Sequence, residues 1–376
     1  MKTNLLIIHE SMAGGGAERV LTTLLKNLDR NKFTITLLLI YKKGVFLEDI
    51  PQDVELLSLF GPKRGLWHRL WTHLYRLRNA VRERKARRLL NGRKFDSIVS
   101  FMEGPPSKLH SMLMDLAPRN VSWIHTDLQT GRWQEFWFRT EEEKEFYRKI
   151  DGLAFVSQDA CNAFGKMYDT DVHCEVIYNP IDTESIILGA GKEEKAFGEP
   201  FTIINVGRLI ELKRQDRLVR AAALLRERGL KFKINILGVG DREKELKSLA
   251  DELGVSDCIN FPGFITNPYE WVKKADVFCL TSATEGYPTV IAESLCIGTP
   301  VVSTRITGTV EMLSHGGGVF TGDTPEDIAD KLEWLMREPR ELARLKAETA
   351  EAFKQFRIEN VMRSIQAFIT GSSSKD

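Results

Sequence analysis

Short apolar segments alternate with amphipathic stretches along the whole chain. In the first half we predict strands at Leu5–Ile8, Thr34–Tyr41, Val54–Leu59, Ser97–Phe101, Val121–His125 and Gly152–Ser157. In the second half we predict strands at Thr202–Val206, Lys233–Leu237, Cys258–Phe261, Val277–Leu280 and Pro300–Thr304. The stretches between them, such as Ala17–Leu28 and Asp241–Leu253, repeat their apolar residues at helical spacing. This alternation favours an α/β fold with parallel sheets covered by helices on both faces.

A polar, glycine-containing region separates the two halves. Tyr178–Asp182 and Gly189–Pro200 have the composition of a linker, and 376 residues are enough for two domains. We therefore predict an N-terminal domain over 1–182 and a C-terminal domain over 183–356, with a final helix at about 357–370 packing back on the N-terminal domain. Doubly wound domains bind ligands at the carboxyl ends of their strands, so we expect the two rims to face a cleft.

Length and cysteine usage exclude several classes of protein. No apolar stretch approaches the roughly 20 residues of a membrane-spanning helix, and the N-terminal apolar segment is too short for a signal peptide. The cysteines are widely spaced and never form a C-x-x-C pair, which argues against a disulfide framework or a zinc knuckle. We expect a cytoplasmic chain with reduced cysteines.

Positive charge is concentrated in one segment, although the net charge of the chain is only +1. Between Lys63 and Lys94, twelve Lys or Arg residues stand against one acid, so the segment carries +11. Trp67 and Trp71 belong to an apolar stripe at helical spacing. The flanking basic residues include Arg76, Arg78, Arg82 and Arg84. We predict that this helix lies on the anionic inner face of a membrane; in the alternative, the tryptophans are core residues and the arginines are solvated.

Four groups of residues follow strands of the second half and therefore belong at its ligand-binding rim. They are Gly207–Arg208 with Lys213, Glu285–Pro288 with Glu293, Thr307–Glu311, and Gly238–Gly240. The arginine and lysine suit a diphosphate, and the two glutamates can accept hydrogen bonds from sugar hydroxyls. Gly238–Gly240 does not complete a dinucleotide fingerprint, because Glu243 stands at the position of the third glycine.

In their order and spacing, these motifs resemble those of retaining glycosyltransferase family 4, which has the GT-B fold of two Rossmann-like, doubly wound parallel-sheet domains. In the second half the resemblance rests on Gly207–Leu209 with Lys213, Glu285–Pro288 with Glu293, Gly298–Val302, and Gly308 with Glu311. In the first half, Gly14–Arg19 is similar to the family's glycine loop, His125 to its cleft histidine and Asn179–Asp182 to its interdomain signature.

The resemblance implies an enzyme that moves a hexosyl or N-acetylhexosaminyl unit from a nucleoside-diphosphate sugar, with UDP favoured, to a glycan or polyprenyl-linked acceptor. It implies catalytic roles for Glu285, His125, Arg208 and Lys213. It implies donor contacts from Gly15, Gly16, Gly207, Arg208, Lys213, Gly286, Tyr287, Pro288, Thr289 and Glu293. No cofactor or metal is expected, because the two cations would stabilise the departing diphosphate. In this interpretation Asp169–Asp171 matches a metal-binding D-x-D by chance.

Three other functions stay open at this point. A nicotinamide-dependent oxidoreductase would share the doubly wound halves, although no complete G-x-G-x-x-G follows a strand. A sugar-nucleotide epimerase of GT-B fold would consume the donor without an acceptor. A nucleic-acid-binding protein would use the basic segment but would leave the motifs of the second half unexplained, so we expect no nucleic-acid partner.

Overall fold

The computed structural model describes residues 2–13, 15–62, 75–126, 128, 138–192 and 200–372. The chain divides into two compact units, Met1–Pro180 with Glu359–Asp376, and Ile181–Ile358. Each unit contains one parallel sheet with helices, so the predicted α/β fold class is confirmed. Within the described residues, no helix is both long enough and apolar enough to cross a membrane.

The first unit is built on a parallel sheet in the order β3-β2-β1-β4-β5-β6-β7. Its strands are β1 (Thr3–His9), β2 (Phe33–Tyr41), β3 (Glu55–Phe60), β4 (Ser97–Ser100), β5 (Arg119–Ile124), β6 (Gly152–Phe155) and β7 (Cys174–Val176). Its helices are α1 (Gly16–Asn27), α2 (Tyr75–Leu90), α3 (Pro105–Ser111), α4 (Thr140–Lys149) and α5 (Gln158–Met167). The central strands are continuous apolar runs because both faces of the sheet are covered, and Leu5–Ile8 are fully buried.

The second unit contains a parallel sheet in the order β10-β9-β8-β11-β12-β13. Its strands are β8 (Phe201–Val206), β9 (Phe232–Leu237), β10 (Ile259–Gly263), β11 (Val277–Leu280), β12 (Val301–Thr304) and β13 (Gly318–Thr321). Its helices are α6 (Thr183–Ala190), α7 (Gln215–Glu227), α8 (Glu243–Glu252), α9 (Tyr269–Lys273), α10 (Thr289–Ile297), α11 (Thr309–Met312), α12 (Pro325–Arg337) and α13 (Pro339–Phe353). The core includes Ile203, Ile234 and Val302 from the strands and Leu218 from α7.

The last helix, α14 (Ile358–Thr370), contacts the sheet of the first unit. The rings of Phe368 and Trp123 meet edge to face with 5.2 Å between their centroids. The Ser97 hydroxyl donates to the Ile369 carbonyl at 2.8 Å, and the Arg119 guanidinium donates to the Phe368 carbonyl at 2.6 Å. These bonds satisfy carbonyl groups that the end of a helix leaves without helical partners.

The strand order reverses at one place in each sheet. In the first unit the reversal lies between β1 and β4, and in the second unit between β8 and β11. Open parallel sheets bind ligands outside the carboxyl ends of the strands at such a reversal, because the two flanking loops turn to opposite faces of the sheet and leave a crevice. The loops that follow these four strands are therefore the places to look for chemistry.

Candidate active site

The loops after β8 and β11 are joined directly at the reversal of the second sheet. Lys213 Nζ lies 2.5 Å from Glu285 Oε1, and the Ser282 hydroxyl donates to the same oxygen at 2.6 Å. The exposed fractions of the two charged side chains are 23% and 12%, so the ion pair is partly shielded from water. The Ala283 N–H donates to the Leu212 carbonyl at 2.8 Å. Residues 72 positions apart in the sequence thus form one charged cluster.

Arg208 provides a second cation after β8, and its environment differs from that of Lys213. Its side chain is exposed, and among the described residues its guanidinium has no hydrogen-bond or ion-pair partner. A guanidinium offers a planar fork of donors that matches the oxygens of a phosphate. The Arg208 guanidinium is therefore available to an anion, whereas Lys213 is held beside Glu285.

Gly238 and Gly240 have a structural role that the sequence motif alone does not reveal. A Cβ atom at Gly238 would lie 1.9 Å from the Gly207 carbonyl oxygen, and one at Gly240 would lie 2.1 Å from the Leu209 carbonyl oxygen. The Gly207 N–H donates to the Leu237 carbonyl at 2.9 Å, and the Leu209 N–H donates to the Val239 carbonyl at 3.0 Å. The two glycines let the loop after β9 support the loop that carries Arg208.

The loop of Glu285 is packed against the loop that follows β12. Gly308 has φ +81°, and a Cβ atom there would lie 2.4 Å from the Gly286 carbonyl oxygen. Tyr287 is buried and meets the Phe356 ring edge to face at 6.3 Å between centroids. Pro288 occupies the N-cap position of α10, which begins at Thr289. The backbone of residues 286–289 is therefore held from two sides.

Glu293 lies on α10 and is 7% exposed. A carboxylate so deeply buried is normally hydrogen-bonded or paired, because desolvation penalises the charge. Its predicted contact with ribose hydroxyls remains a prediction.

His125 follows β5 in the first unit and is buried beside two further polar side chains. Its Nε2 atom has no hydrogen-bond partner among the described residues, and burial lowers the pKa of the imidazole to about 3. His9 ends β1; its Nδ1 atom also lacks a partner there, and burial lowers its pKa to about 4. Glu103, after β4, is fully buried. At neutral pH both imidazoles are therefore uncharged and suited to hydroxyl groups rather than anions.

Gly15 and Gly16 begin α1 after the glycine loop. Among the described residues, a Cβ atom at Gly16 would meet no atom within 4 Å, and one at Gly15 would meet the side chain of Glu18. The donor contacts predicted for Gly15 and Gly16 stay predictions.

The basic helix differs from its sequence interpretation. Arg78 and Arg82 are 6% and 2% exposed, whereas Leu77 is 52% exposed. The inward face of α2 follows the spacing Arg78, Arg82, Ala86, Leu90, and Arg82 Nη2 donates to the Tyr41 hydroxyl at 3.3 Å. The prediction that Arg78 and Arg82 contact lipid is therefore wrong, because both side chains are buried.

The other members of that prediction are not tested by the structure. Trp67, Trp71 and the side chain of Arg76 lie outside the described residues. Arg84 is exposed on α2. Asp169 and Asp171 of the D-x-D match are exposed in the segment before β7. In the described ranges, no cluster of three or more His, Cys, Asp or Glu residues could hold a metal ion.

Two family models match this chain. The model for glycosyltransferase family 4 matches residues 14–185, and the model for glycosyl transferases group 1 matches residues 190–352. Together they include the glycine loop, His125 and all four motifs of the second unit. The chain belongs to glycosyltransferase family 4. The resemblance expected from the motifs is thereby confirmed.

Curated relatives of this family member act in polysaccharide and glycan assembly, according to their names. A putative colanic acid biosynthesis glycosyltransferase of Escherichia coli is 35% identical over 43% of this chain and 38% of its own length. An amylovoran biosynthesis glycosyltransferase of Erwinia amylovora is 34% identical over 33% of this chain and 32% of its own length. A lipid-linked glycan N-acetylgalactosaminyltransferase of Campylobacter jejuni is 38% identical over 35% of this chain and 34% of its own length. The chain thus spans less than half of each relative.

Solved structures show the fold of this family member over its whole length. Anabaena HepE in complex with UDP and glucose has a TM-score of 0.77 and 18% identity, covering 97% of this chain and 98% of its own. WaaG, a glycosyltransferase involved in lipopolysaccharide biosynthesis, has a TM-score of 0.73 and 15% identity, covering 98% and 100%. These similarities and the two parallel sheets confirm the GT-B fold.

Two buried residues of the first unit were not among the predicted site residues. Glu103 stands between apolar residues and prolines, and His9 ends an apolar strand, so neither belongs to a recognisable motif. Only their position marks them as candidate site residues: His9 ends β1 and Glu103 follows β4, the two strands that flank the reversal of the first sheet. Strand order cannot be deduced from the sequence of strands along the chain, so this signal needs the tertiary structure.

Proposed function

We propose that this chain is a retaining glycosyltransferase that uses a nucleoside-diphosphate sugar, a UDP-sugar in our proposal. It would move a hexosyl or N-acetylhexosaminyl unit to a glycan or polyprenyl-linked acceptor in cell-surface polysaccharide biosynthesis. The observation that carries the proposal is the contact between Lys213 and Glu285 at the reversal of the second sheet. This contact supports the proposal because it joins a cation that suits a diphosphate to an acid that can accept hydrogen bonds from sugar hydroxyls, at the strand-order reversal where such sheets bind ligands.

The two cations have different tasks in this proposal. Arg208, which is exposed and lacks a partner in the described part of the chain, binds phosphate oxygens with its fork of donors. Lys213 has three N–H donors, so it can keep its bond to Glu285 and still reach a phosphate oxygen. Glu285 then accepts hydrogen bonds from the transferred sugar, and Glu293 accepts them from the ribose. The backbone of residues 286–289 and Gly207 complete the donor contacts.

The proposed reaction replaces one bond at the anomeric carbon on the same face. The acceptor oxygen forms a bond to that carbon, the bond from the carbon to the diphosphate oxygen breaks, and the acceptor proton passes to the departing diphosphate. Arg208 and Lys213 stabilise the charge that develops on the leaving group, which removes the need for a metal. In the first unit, the neutral imidazole of His125 offers Nε2 to a sugar hydroxyl.

Thermal-shift measurements with UDP, GDP, ADP and TDP sugars test the donor. A ligand that binds only the folded state raises the Tm by mass action, so we expect the largest increase with a UDP-sugar. Turnover is then measured with polyprenyl-linked acceptors in the presence of a chelator, and the anomeric configuration of the product is read by NMR. Inversion would contradict the retaining mechanism, and activity restored only by manganese would contradict metal independence. Donor consumed without an acceptor would indicate an epimerase.

Membrane contact of the basic helix forms part of the proposal, and the structure changes the variants that test it. Arg84 and Arg88 are exposed on α2, whereas replacing Arg78 or Arg82 would disturb the interior of the unit. Each basic residue near an anionic surface contributes about 1 kcal/mol, so Arg84→Gln/Arg88→Gln should weaken liposome binding by roughly 30-fold. Flotation with phosphatidylserine vesicles measures this, with Arg220→Gln/Lys233→Gln in the second unit as the matched control. Equal flotation of both double variants would contradict membrane contact through α2.

A further inference from the structure

Glu103 lies at the strand-order reversal of the first sheet, where open parallel sheets commonly bind ligands. It follows β4, one of the two strands at which the strand order reverses. The next residue, Gly104, has φ +79° and occupies the N-cap position of α3. Its side chain has no exposed surface. The adjacent strand β5 leads directly into His125 and Thr126. Glu103 therefore lies where the loops from two neighbouring strands meet.

Among the described residues, the donors that hold the Glu103 carboxylate are uncharged. The backbone N–H of His125 donates to Oε2 at 2.9 Å, and the hydroxyl of Thr126 donates to Oε1 at 2.7 Å. Within the described ranges no Lys or Arg forms an ion pair with it. Burial raises the pKa of this carboxyl group, while the two hydrogen bonds oppose the increase.

A fully buried carboxyl group without a cation is costly, so packing alone does not account for it. An apolar side chain would fill the same space at a lower desolvation penalty. The two carboxylate oxygens accept hydrogen bonds from two consecutive residues, His125 and Thr126, at the point where the chain leaves β5. That point carries the imidazole whose Nε2 atom is buried without a partner in the described part of the chain.

We propose that Glu103 is a positioning residue that fixes the turn after β5 and thereby aims Nε2 of His125 at the substrate. The inference rests on the proposed function, because the substrate is the sugar to which His125 is assigned. Glu103 itself touches no substrate in this proposal. Its two hydrogen bonds restrict the conformation of the turn, so that the imidazole is already oriented when the sugar binds.

A double-mutant cycle separates this role from a general structural one. We expect Glu103→Ala to lower kcat by about 100-fold with little change in the donor KM, because misplacing a group near the reacting centre mainly affects the transition state. In a His125→Ala background, Glu103→Ala should lower kcat by less than about threefold, because the group it positions is gone. Glu103→Gln should recover most of the lost activity, since the amide oxygen can accept from His125 and the amide nitrogen can donate to Thr126. Equal losses in both backgrounds would overturn the proposal.

Glu143 provides a matched control in the same unit. It is also a buried glutamate, 1% exposed, and it accepts hydrogen bonds from the hydroxyls of Tyr147 at 3.3 Å and Tyr168 at 2.9 Å. Losses in kcat caused by Glu143→Ala and His125→Ala should multiply, because the hydroxyls bound to Glu143 belong to Tyr147 and Tyr168 and not to the turn that carries His125.

The imidazole resonance of His125, assigned by its loss in His125→Ala, gives a readout that needs no turnover. We expect it to shift or broaden in Glu103→Ala and to stay in place in Glu143→Ala. An unchanged resonance in Glu103→Ala would overturn the proposal even if glycosyl transfer were absent, so the two failures are distinguishable.

Discussion

Replacing Arg208 or Lys213 with alanine is expected to reduce kcat by at least about 100-fold while the protein stays folded. Both cations follow β8 at the reversal of the second sheet, where they would neutralise the charge that develops on the leaving diphosphate. Removing one preorganised stabilising group at such a position typically costs 10²- to 10³-fold. Steady-state turnover of a UDP-sugar measures the effect, and the Tm of each variant shows that folding is retained.

The two substitutions should differ in their side effects on stability. Arg208→Ala removes an exposed side chain without a partner in the described residues, so we expect an unchanged Tm. Lys213→Ala leaves the shielded carboxylate of Glu285 with the Ser282 hydroxyl but without its cation, so a lower Tm is expected. Arg220→Ala and Lys233→Ala remove exposed cations elsewhere in the same unit and serve as controls. A fully active Arg208→Ala or Lys213→Ala variant would refute the phosphate assignment.

Gly238→Ala is expected to destabilise the second unit by about 3–5 kcal/mol, which corresponds to a Tm decrease of roughly 10 °C. Two effects combine. Gly238 has φ +140°, a backbone angle that residues with a side chain rarely adopt, and a Cβ atom there would lie 1.9 Å from the Gly207 carbonyl oxygen. Because that oxygen belongs to the backbone, relief of the clash must move the loop that carries Arg208. We therefore also expect weaker binding of the nucleotide sugar, measured by titration calorimetry below the Tm of the variant.

Gly254→Ala is the control for this prediction. Gly254 also has a positive φ, +67°, but a Cβ atom there would meet no atom of the described residues within 4 Å. It should therefore cost only the conformational penalty of about 1–2 kcal/mol and leave nucleotide binding unchanged. If Gly254→Ala and Gly238→Ala were equally destabilising, the close approach to Gly207 would not be the cause.

Most strands could be predicted from the sequence because buried parallel strands are short, continuous apolar runs. Leu5–Ile8 and Val277–Leu280 stand out in this way, and their strands are β1 and β11. The exceptions are the edge strands β7 (Cys174–Val176) and β13 (Gly318–Thr321). Each is short, each pairs with a neighbour on one side only, and β7 contains a glutamate and an exposed cysteine, so neither needs a long apolar run.

The basic helix shows where periodicity was insufficient. The predicted apolar stripe of Trp67 and Trp71 continues at helical spacing to Leu77, which is exposed, but the inward face of α2 is the adjacent one, with Arg78 and Arg82. The two faces differ by one residue in register, which is about 100° of rotation. Long arginine side chains can be buried when an acceptor such as the Tyr41 hydroxyl is within reach, and that acceptor lies on a strand far away in sequence.

The sequence by itself determined the fold class, the family and the residue types that suit a diphosphate and a sugar, because these depend on local periodicity and on motifs with short spacing. Only the tertiary structure decided which of these residues meet. Three contacts join loops from neighbouring strands: Lys213 with Glu285, Gly238 with the loop that carries Arg208, and Glu103 with the turn that carries His125. Strand adjacency is set by how the helices and the sheet pack together, and no local pattern along the chain encodes it.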